Sequence, residues 1–386
     1  MSDSIQYTIK SLQAYGPQHR HWAMAWSGGK DSTTLVTLVV WLIETGQVPR
    51  PETLTVCYAD TRLELLPLYV SARSIQGQLA ARGIDVRTVM APMDKRFLVY
   101  MLGRGVPPPN NNTFRWCTRQ IKIDPMKDEL EKLFGERGEK ILMLTGVRQG
   151  ESAIRDNRIA MSCGLNGAEC GQGWYQETLP DSLCDTLAPI LHWRVCHIWD
   201  WLKIMAPMAE YGGWDTTLLA DAYGGDEAEE INARTGCVGC PLAQHDTALE
   251  AILRIPGWEY LRPLLELRPL WRELREGHNR LRQPAGEKRA DGSLCKKQHR
   301  MGPLTIEARE MALKIVLDVQ ARIKADSMLL DRPTIDLLNQ DEIDRIMELI
   351  AARTFPRRWT GNEPRGDEDF DEHYADGTVQ PSLFGG

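Results

Sequence analysis

The stretch His21-Trp22-Ala23-Met24-Ala25-Trp26-Ser27-Gly28-Gly29-Lys30-Asp31-Ser32 decides the fold. Its first six residues are short and largely apolar, Ser-Gly-Gly interrupts them, and residues 32–44 are apolar on every side, which predicts strand, tight loop and buried helix. The alternation continues outward. Strands are expected at 54–58 and 86–90 with a helix at 65–82 between them, then at 140–145 and 188–191, leading to a Trp-rich helical stretch at 198–205. Such alternation implies an α/β fold with a doubly wound, mostly parallel sheet. Beyond about residue 205 the strand pattern fades, and 305–324 and 340–353 read as amphipathic helices, so the C-terminal part is expected to be mainly helical. The expected division is 1–205, 206–362 and an acidic, disordered tail at 363–386.

With 386 residues and 42% hydrophobic composition, the chain can bury one large core or two modest ones. No run of about 18 uncharged apolar residues occurs, and no basic-then-apolar leader precedes the first strand, so a soluble, cytoplasmic protein with no membrane contact is expected. Nine cysteines spread through such a chain argue for metal or sulfur chemistry over a disulfide framework. The net charge of −7 is unevenly placed: 367–376 holds six acids and no Lys or Arg, leaving −1 for the rest. Within 278–300, Arg280, Arg282, Lys288, Arg289, Lys296, Lys297 and Arg300 stand against Glu287 and Asp291, a local balance of +5. Either a solvated loop or a phosphate-binding surface fits that charge.

Ser27-Gly28-Gly29-Lys30-Asp31-Ser32 lies where the first strand turns into the first helix. Two glycines let backbone approach an anion, N–H groups and the dipole at a helix start favour phosphate oxygens, Lys30 adds charge, and the Ser27 and Ser32 hydroxyls donate. A capped strand-to-helix turn is the plainer alternative, and the complete string after an apolar strand favours nucleotide binding. The spacing differs from G-x-x-x-x-G-K-[ST], which serves γ-phosphate chemistry. Asp60, at the carboxyl end of the second strand, lies where a parallel sheet presents ligand groups, and it suits ribose, adenine, Mg²⁺ or a simple helix cap.

Cys237-Val238-Gly239-Cys240-Pro241 is a C-x-x-C pair, with Cys117 its distant third. Structural zinc, with His245 close by, and an iron–sulfur cluster both suit thiolates, and the residues alone leave them open. Cys295 is a candidate fourth ligand, Cys163 and Cys170 form a wider pair, and Cys57, Cys184 and Cys196 read as buried thiols.

At this point motifs accumulate: SGGKDS at 27–32, YADTRLE at 58–64, LGRGVPPPNNNTFRWCTRQIKIDPM at 102–126, TGVRQGES at 145–152, GCVGCP at 236–241 and MGPLTIEAR at 301–309. The loop resembles the PP-loop, and from about 22 to about 320 the chain resembles the phosphoadenosine-phosphosulfate-reductase-like ATP pyrophosphatases of DNA phosphorothioation, the DndC/SspD-like group. The resemblance implies an enzyme that turns ATP into AMP and pyrophosphate, adenylates DNA backbone phosphate for sulfur insertion, and carries a [4Fe–4S] cluster in sulfur transfer. It implies a PP-loop domain over 1–205 and a cluster-binding, nucleic-acid-facing region over 206–362. It further implies ATP on Ser27, Gly28, Gly29, Lys30, Asp31, Ser32 and Asp60 with Mg²⁺, catalysis by Lys30, Asp31 and Ser32, and cluster ligands Cys117, Cys237 and Cys240. DNA would meet Lys288, Arg289, Lys296 and Lys297, and a cysteine desulfurase and other subunits of a phosphorothioation, restriction-modification-type system would be partners. The chain lacks the further cysteine that some relatives carry soon after Cys240, so Cys295 or an open iron would complete the site.

Two enzymes and a scaffold compete with this reading. A sulfonucleotide reductase needs a mobile cysteine near its end, and the last cysteine here is Cys295. A tRNA thiolase shares the adenylation logic, and a non-catalytic ATP-binding scaffold for a desulfurase would release no pyrophosphate.

Overall fold

The computed structural model describes residues 1–110, 114–150, 182–225, 237–243, 245–283, 292–293, 300–368, 371–374 and 376–381. The chain divides into two compact units. The first comprises Met1–Ala91, Thr118–Val238 and Thr247–Glu259; the second comprises Pro92–Cys117, Gly239–Asp246 and Tyr260–Gly386. The chain thus leaves the first unit and re-enters it, which the order of motifs does not reveal.

The first unit is built on the expected parallel sheet. β1 (His21–Trp26) pairs with β2 (Thr53–Ala59) on one side and β4 (Ile141–Leu144) on the other; β3 (Asp85–Val89) and β5 (Cys184–Leu187) lie outside them, in the order β3-β2-β1-β4-β5. The chain winds one way from β1 through β2 to β3, then crosses to β4 and β5. The order therefore reverses between β1 and β4, and ligands of such sheets gather at the carboxyl ends of the strands beside that reversal. The loop at 27–32 follows β1 and lies at that place.

α2 (Lys30–Glu44) buries nine residues, including Leu35, Val36, Leu38, Val39, Val40 and Leu42, so it is a core helix whose start cannot wander. Two of its buried hydroxyls are answered by indoles: Trp26 Nε1 donates to Thr33 Oγ1 and Trp201 Nε1 to Thr37 Oγ1, both at 2.9 Å. Buried polar groups cost free energy unless paired in this way. Helix Asp124–Arg137 brings Leu130 and Leu133 onto Ala23, Cys57, Val89, Ile141, Met143 and Cys184.

Several elements depart from expectation. β5 lies at Cys184–Leu187, because Pro189 in the expected 188–191 lacks the N–H a ladder needs; those residues turn instead, with Leu191 N donating to Ala188 O at 3.0 Å. Helices α1 (Ser2–Tyr15) and Asp124–Arg137 are additional. The Trp-rich stretch is helical over Val195–Trp199 and Asp200–Met205. Cys196 is exposed, whereas Cys57 and Cys184 are buried as expected.

In the second unit strands do recur: β6 (Arg280–Arg282) pairs antiparallel with β7 (Met301–Leu304). Helices Ile306–Leu329 and Gln340–Ala351 follow; Thr305 Oγ1 caps the first by accepting from Ala308 N, and Asn339 with Glu342 forms a capping box on the second. Arg309 is wholly buried and donates to the carbonyls of Gly103 and Thr354 at 2.7 and 2.9 Å, tying three segments together. The tail expected to be disordered from Glu363 is anchored at its start. Arg282 N donates to Pro364 O at 2.8 Å and Gly366 N to Arg280 O at 2.8 Å, since β6 has an edge to fill. A short pair, Glu372–His373 with Val379–Gln380, lies beyond it.

Burial pushes the Cys57 thiol up to about 12 and the Cys184 thiol up to about 11. A raised thiol pKa keeps the unreactive protonated form at pH 8. Iodoacetamide at pH 8 should therefore modify Cys196 and spare Cys57 and Cys184 until denaturant is added. Mass spectrometry reads the sites, and native labelling of Cys57 at the rate of Cys196 would contradict this core.

Candidate functional site

The loop after β1 is shaped by its two glycines. Gly28 sits at φ +72°, a backbone region that side chains rarely adopt, and Gly29 is the extended N-cap residue of α2, its carbonyl taking the first helical bond from Thr33 N at 2.9 Å. The serines close the loop on itself. Ser27 N donates to Ser32 Oγ at 3.2 Å, and Ser32 Oγ donates to Gly29 O at 3.1 Å. Ser27, Gly28, Gly29, Lys30, Asp31 and Ser32 are thus one structural unit at the start of a 15-residue helix.

Three residues that sequence reasoning did not single out brace this unit. A Cβ on Gly146, just after β4, would lie 2.9 Å from the backbone of both Asp31 and Ser32, so only glycine fits. Arg148, 6% exposed, donates from Nε to Asp31 Oδ1 at 2.5 Å and from Nη1 to Trp193 O at 3.1 Å. Tyr223 accepts the Lys30 backbone N–H at 3.0 Å on its hydroxyl, and its ring faces Lys30 Nζ at 5.0 Å. Lys30 Nζ also lies 3.3 Å from Asp31 Oδ2. Asp31 therefore stands between two cations and orients them; it is a positioning residue for Lys30. Gly146 and Arg148 were visible in the quoted TGVRQGES, but nothing local names Asp31 as their partner.

At the carboxyl end of β2, Asp60 Oδ1 accepts from Arg62 N at 2.8 Å, a turn that places Arg62 at φ +64°. Glu64 folds back to accept from Thr61 Oγ1 at 2.6 Å and Leu63 N at 3.2 Å. Burial, then the charge of Asp60, holds its carboxyl above the ordinary range. The Tyr58 hydroxyl is buried there without a hydrogen-bond partner among the described residues, and burial raises its pKa. Its ring lies 3.6 Å from the place a Gly28 Cβ would occupy. A glycine cradle, a helix start, a lysine and an orphaned donor together fit a polyphosphate nucleotide.

Cys117, Cys237 and Cys240 are partly exposed and form no disulfide among the described residues. Gly239, at φ +58°, makes the tight turn of the C-x-x-C pair, and a Cβ there would press on Leu267 at 2.8 Å. Val238 N donates to Leu63 O at 2.7 Å, which pins Cys237 to the Asp60 turn in the first unit. Cys117 and Cys240 belong to the second unit. The donor chemistry suits a cluster, while no three His, Cys, Asp or Glu side chains form a metal-holding group among the described residues. Cys295, Cys163, Cys170, Lys288, Arg289, Lys296 and Lys297 lie outside the described residues.

Gly146→Ala should weaken ATP binding at least tenfold, because the added methyl must displace the backbone of Asp31 and Ser32. The far-ultraviolet circular dichroism should be unchanged. Calorimetric titration with a non-hydrolysable ATP analogue checks this, and parental affinity in the variant would show that the loop's geometry does not matter for the nucleotide.

Residues 21–206 match the family model described as the phosphoadenosine phosphosulfate reductase domain, which supports a PP-loop domain over β1 to the Trp-rich helix. An uncharacterized protein of Methanocaldococcus jannaschii is 24% identical over 219 residues, covering 57% of this chain and 41% of that protein, so the match spans less than half of the relative's length. Among solved structures, the chain is similar to Candida glabrata FMN adenylyltransferase in complex with FMN and the ATP analog AMPCPP: 15% identical, TM-score 0.31, covering 52% of this chain and 56% of that one. It is also similar to the U34-tRNA thiolase NcsA from Methanococcus maripaludis with its [4Fe-4S] cluster: 16% identical, TM-score 0.34, covering 71% and 78%.

Proposed function

We propose that this chain is an ATP pyrophosphatase that activates a DNA backbone phosphate for replacement of one oxygen by sulfur. The observation that carries the reading is the phosphate cradle at the β1/β4 reversal, where Gly28, Gly29, Lys30 and the start of α2 are fixed by Gly146 and Arg148. The cradle suits the β and γ phosphates as a leaving group. A non-bridging oxygen of the diester attacks the α phosphorus, the bond to the bridging oxygen breaks, and pyrophosphate departs. A thiol reductant takes the outer sulfur of a cysteine desulfurase's persulfide to sulfide, the thiol being oxidised to disulfide, and the sulfide attacks the adenylated phosphorus and expels AMP, which carries away the original oxygen. Lys30 and the loop N–H groups offset charge on the departing pyrophosphate, with Mg²⁺ as the proposed counterion and Asp60 its proposed neighbour.

Cys117, Cys237 and Cys240 are the proposed ligands of a [4Fe–4S] cluster, with Cys295 or an open position as the fourth. When bound, such a cluster supplies iron able to hold inorganic sulfur. DNA as acceptor is supported by the +5 segment at 278–300, with Lys288, Arg289, Lys296 and Lys297, and by the resemblance at 102–126 and 301–309.

Purified protein should convert ATP to AMP and pyrophosphate, faster with DNA than with tRNA, and Lys30→Ala should slow it by about two to three orders of magnitude, as loss of one transition-state charge contact costs about 3–4 kcal/mol. Products of ADP and free phosphate would rule the reaction out, and stimulation by tRNA alone would replace the acceptor. Anaerobic protein should carry about four irons and lose them in Cys117→Ser, Cys237→Ser or Cys240→Ser. Stoichiometric zinc without iron would overturn the cluster.

A further inference from the structure

The second unit contains a pocket of about 880 Å³ that plays no part in the nucleotide cradle. Among the described residues Arg275, Arg280, Arg300, Arg357 and Arg358 line it, and no acidic side chain does. Among the described residues none of the five pairs with a carboxylate. Arg280 donates from Nε and Nη2 to Gly302 O at 2.9 and 2.7 Å, and Arg275 donates to the carbonyls of Pro109 and Pro241. Carbonyls orient a guanidinium without neutralising it. Burial, and then the charge of Arg275, lowers the pKa of Arg280 to about 10, so the pocket is electrostatically costly as it stands. A bound polyanion would offset that repulsion.

The same wall presents aromatic surface. Trp359 lies so close to Gly302 that a Cβ there would be 2.1 Å from its ring, and Phe114 is 41% exposed, with Tyr100 also on the wall. The size falls within the range of about 300–1,000 Å³ usual for small-ligand sites. Arginines for phosphates and aromatic faces for bases are the pairing that single nucleic-acid strands select. Two cysteines of this unit, Cys117 and Cys240, are chain neighbours of residues that contact its lining. Pro241, held by Arg275, follows Cys240, and Trp116, which donates to Pro107 O at 3.1 Å and packs on Tyr100 at 4.9 Å, precedes Cys117.

We infer that this pocket seats a single-stranded DNA segment, its arginines holding backbone phosphate beside Cys117 and Cys240 while its aromatic side chains take a base turned out of the stack. The inference deepens the proposed function and rests on it for the acceptor's chemical fate, though not for binding. The test uses the full chain and a fluorescein-labelled 12-nucleotide single-stranded DNA, followed by anisotropy between 50 and 200 mM salt. Arg300→Gln with Arg357→Gln should weaken binding at least tenfold and lower the log–log salt slope by about 1.4, about 0.7 per lost contact. Phe114→Ala should weaken binding and leave the slope unchanged. Parental affinity and slope in the double variant would overturn the assignment, as would equal affinity of the parent for the matching duplex or tighter binding of the matching RNA. If the double variant melts early, photo-crosslinking of bromodeoxyuridine DNA to the unaltered chain decides: adducts on Tyr100, Phe114 or Trp359 support the pocket, and adducts only elsewhere overturn it. Lys30→Ala should bind the oligonucleotide like the parent, so failure of the ATP chemistry and failure of this pocket are read separately.

Discussion

The backbone of Asp31 and Ser32 passes so close to Gly146 that no side chain fits between them. This contact joins the exit of β4 to the start of α2 at the place where the strand order reverses, and the other features of the cradle follow from it. Arg148 comes two residues later and reaches Asp31; Asp31 holds Lys30; the Lys30 N–H meets Tyr223. Buried α2 keeps the loop from relaxing away. A loop preorganised in this way binds an anion without first ordering itself, which is what favours a charged transition state over water.

The sheet also determines what else can reach that end. The Asp60 turn follows β2, directly beside β1, and through Leu63 it holds Val238 and so Cys237. A sulfur-bearing residue is thereby tied to the same carboxyl edge as the phosphate loop. In the second unit, Arg275 of an arginine-rich hollow donates to Pro241 O, one residue after Cys240.

Much of this was legible locally. Residues 21–44 carry strand, glycine loop and core helix in contiguous letters, and they fold as read. β5 was misplaced by four residues because Cys-Asp-Thr-Leu looks less apolar than Ala-Pro-Ile-Leu, although Asp185 is accommodated by His19 and Lys140 and Pro189 is not a ladder residue. Helix Asp124–Arg137 escaped notice because its charged surface masks Leu130 and Leu133. The bracing partners Arg148 and Tyr223 lie 117 and 193 residues from the groups they hold, beyond any periodic signal. A contiguous charge count found the run at 278–300, yet it could not gather Arg275, Arg357 and Arg358, which only folding brings to one wall.

The central claim is that a phosphate oxygen of DNA, and not water, attacks the α phosphorus. DNA labelled with ¹⁸O in its non-bridging phosphate positions, incubated with the protein, ATP, Mg²⁺ and sulfide in unlabelled water, tests it directly. The account predicts AMP carrying one ¹⁸O and DNA that has exchanged that oxygen for sulfur. Unlabelled AMP, with the label retained in the DNA, would contradict it.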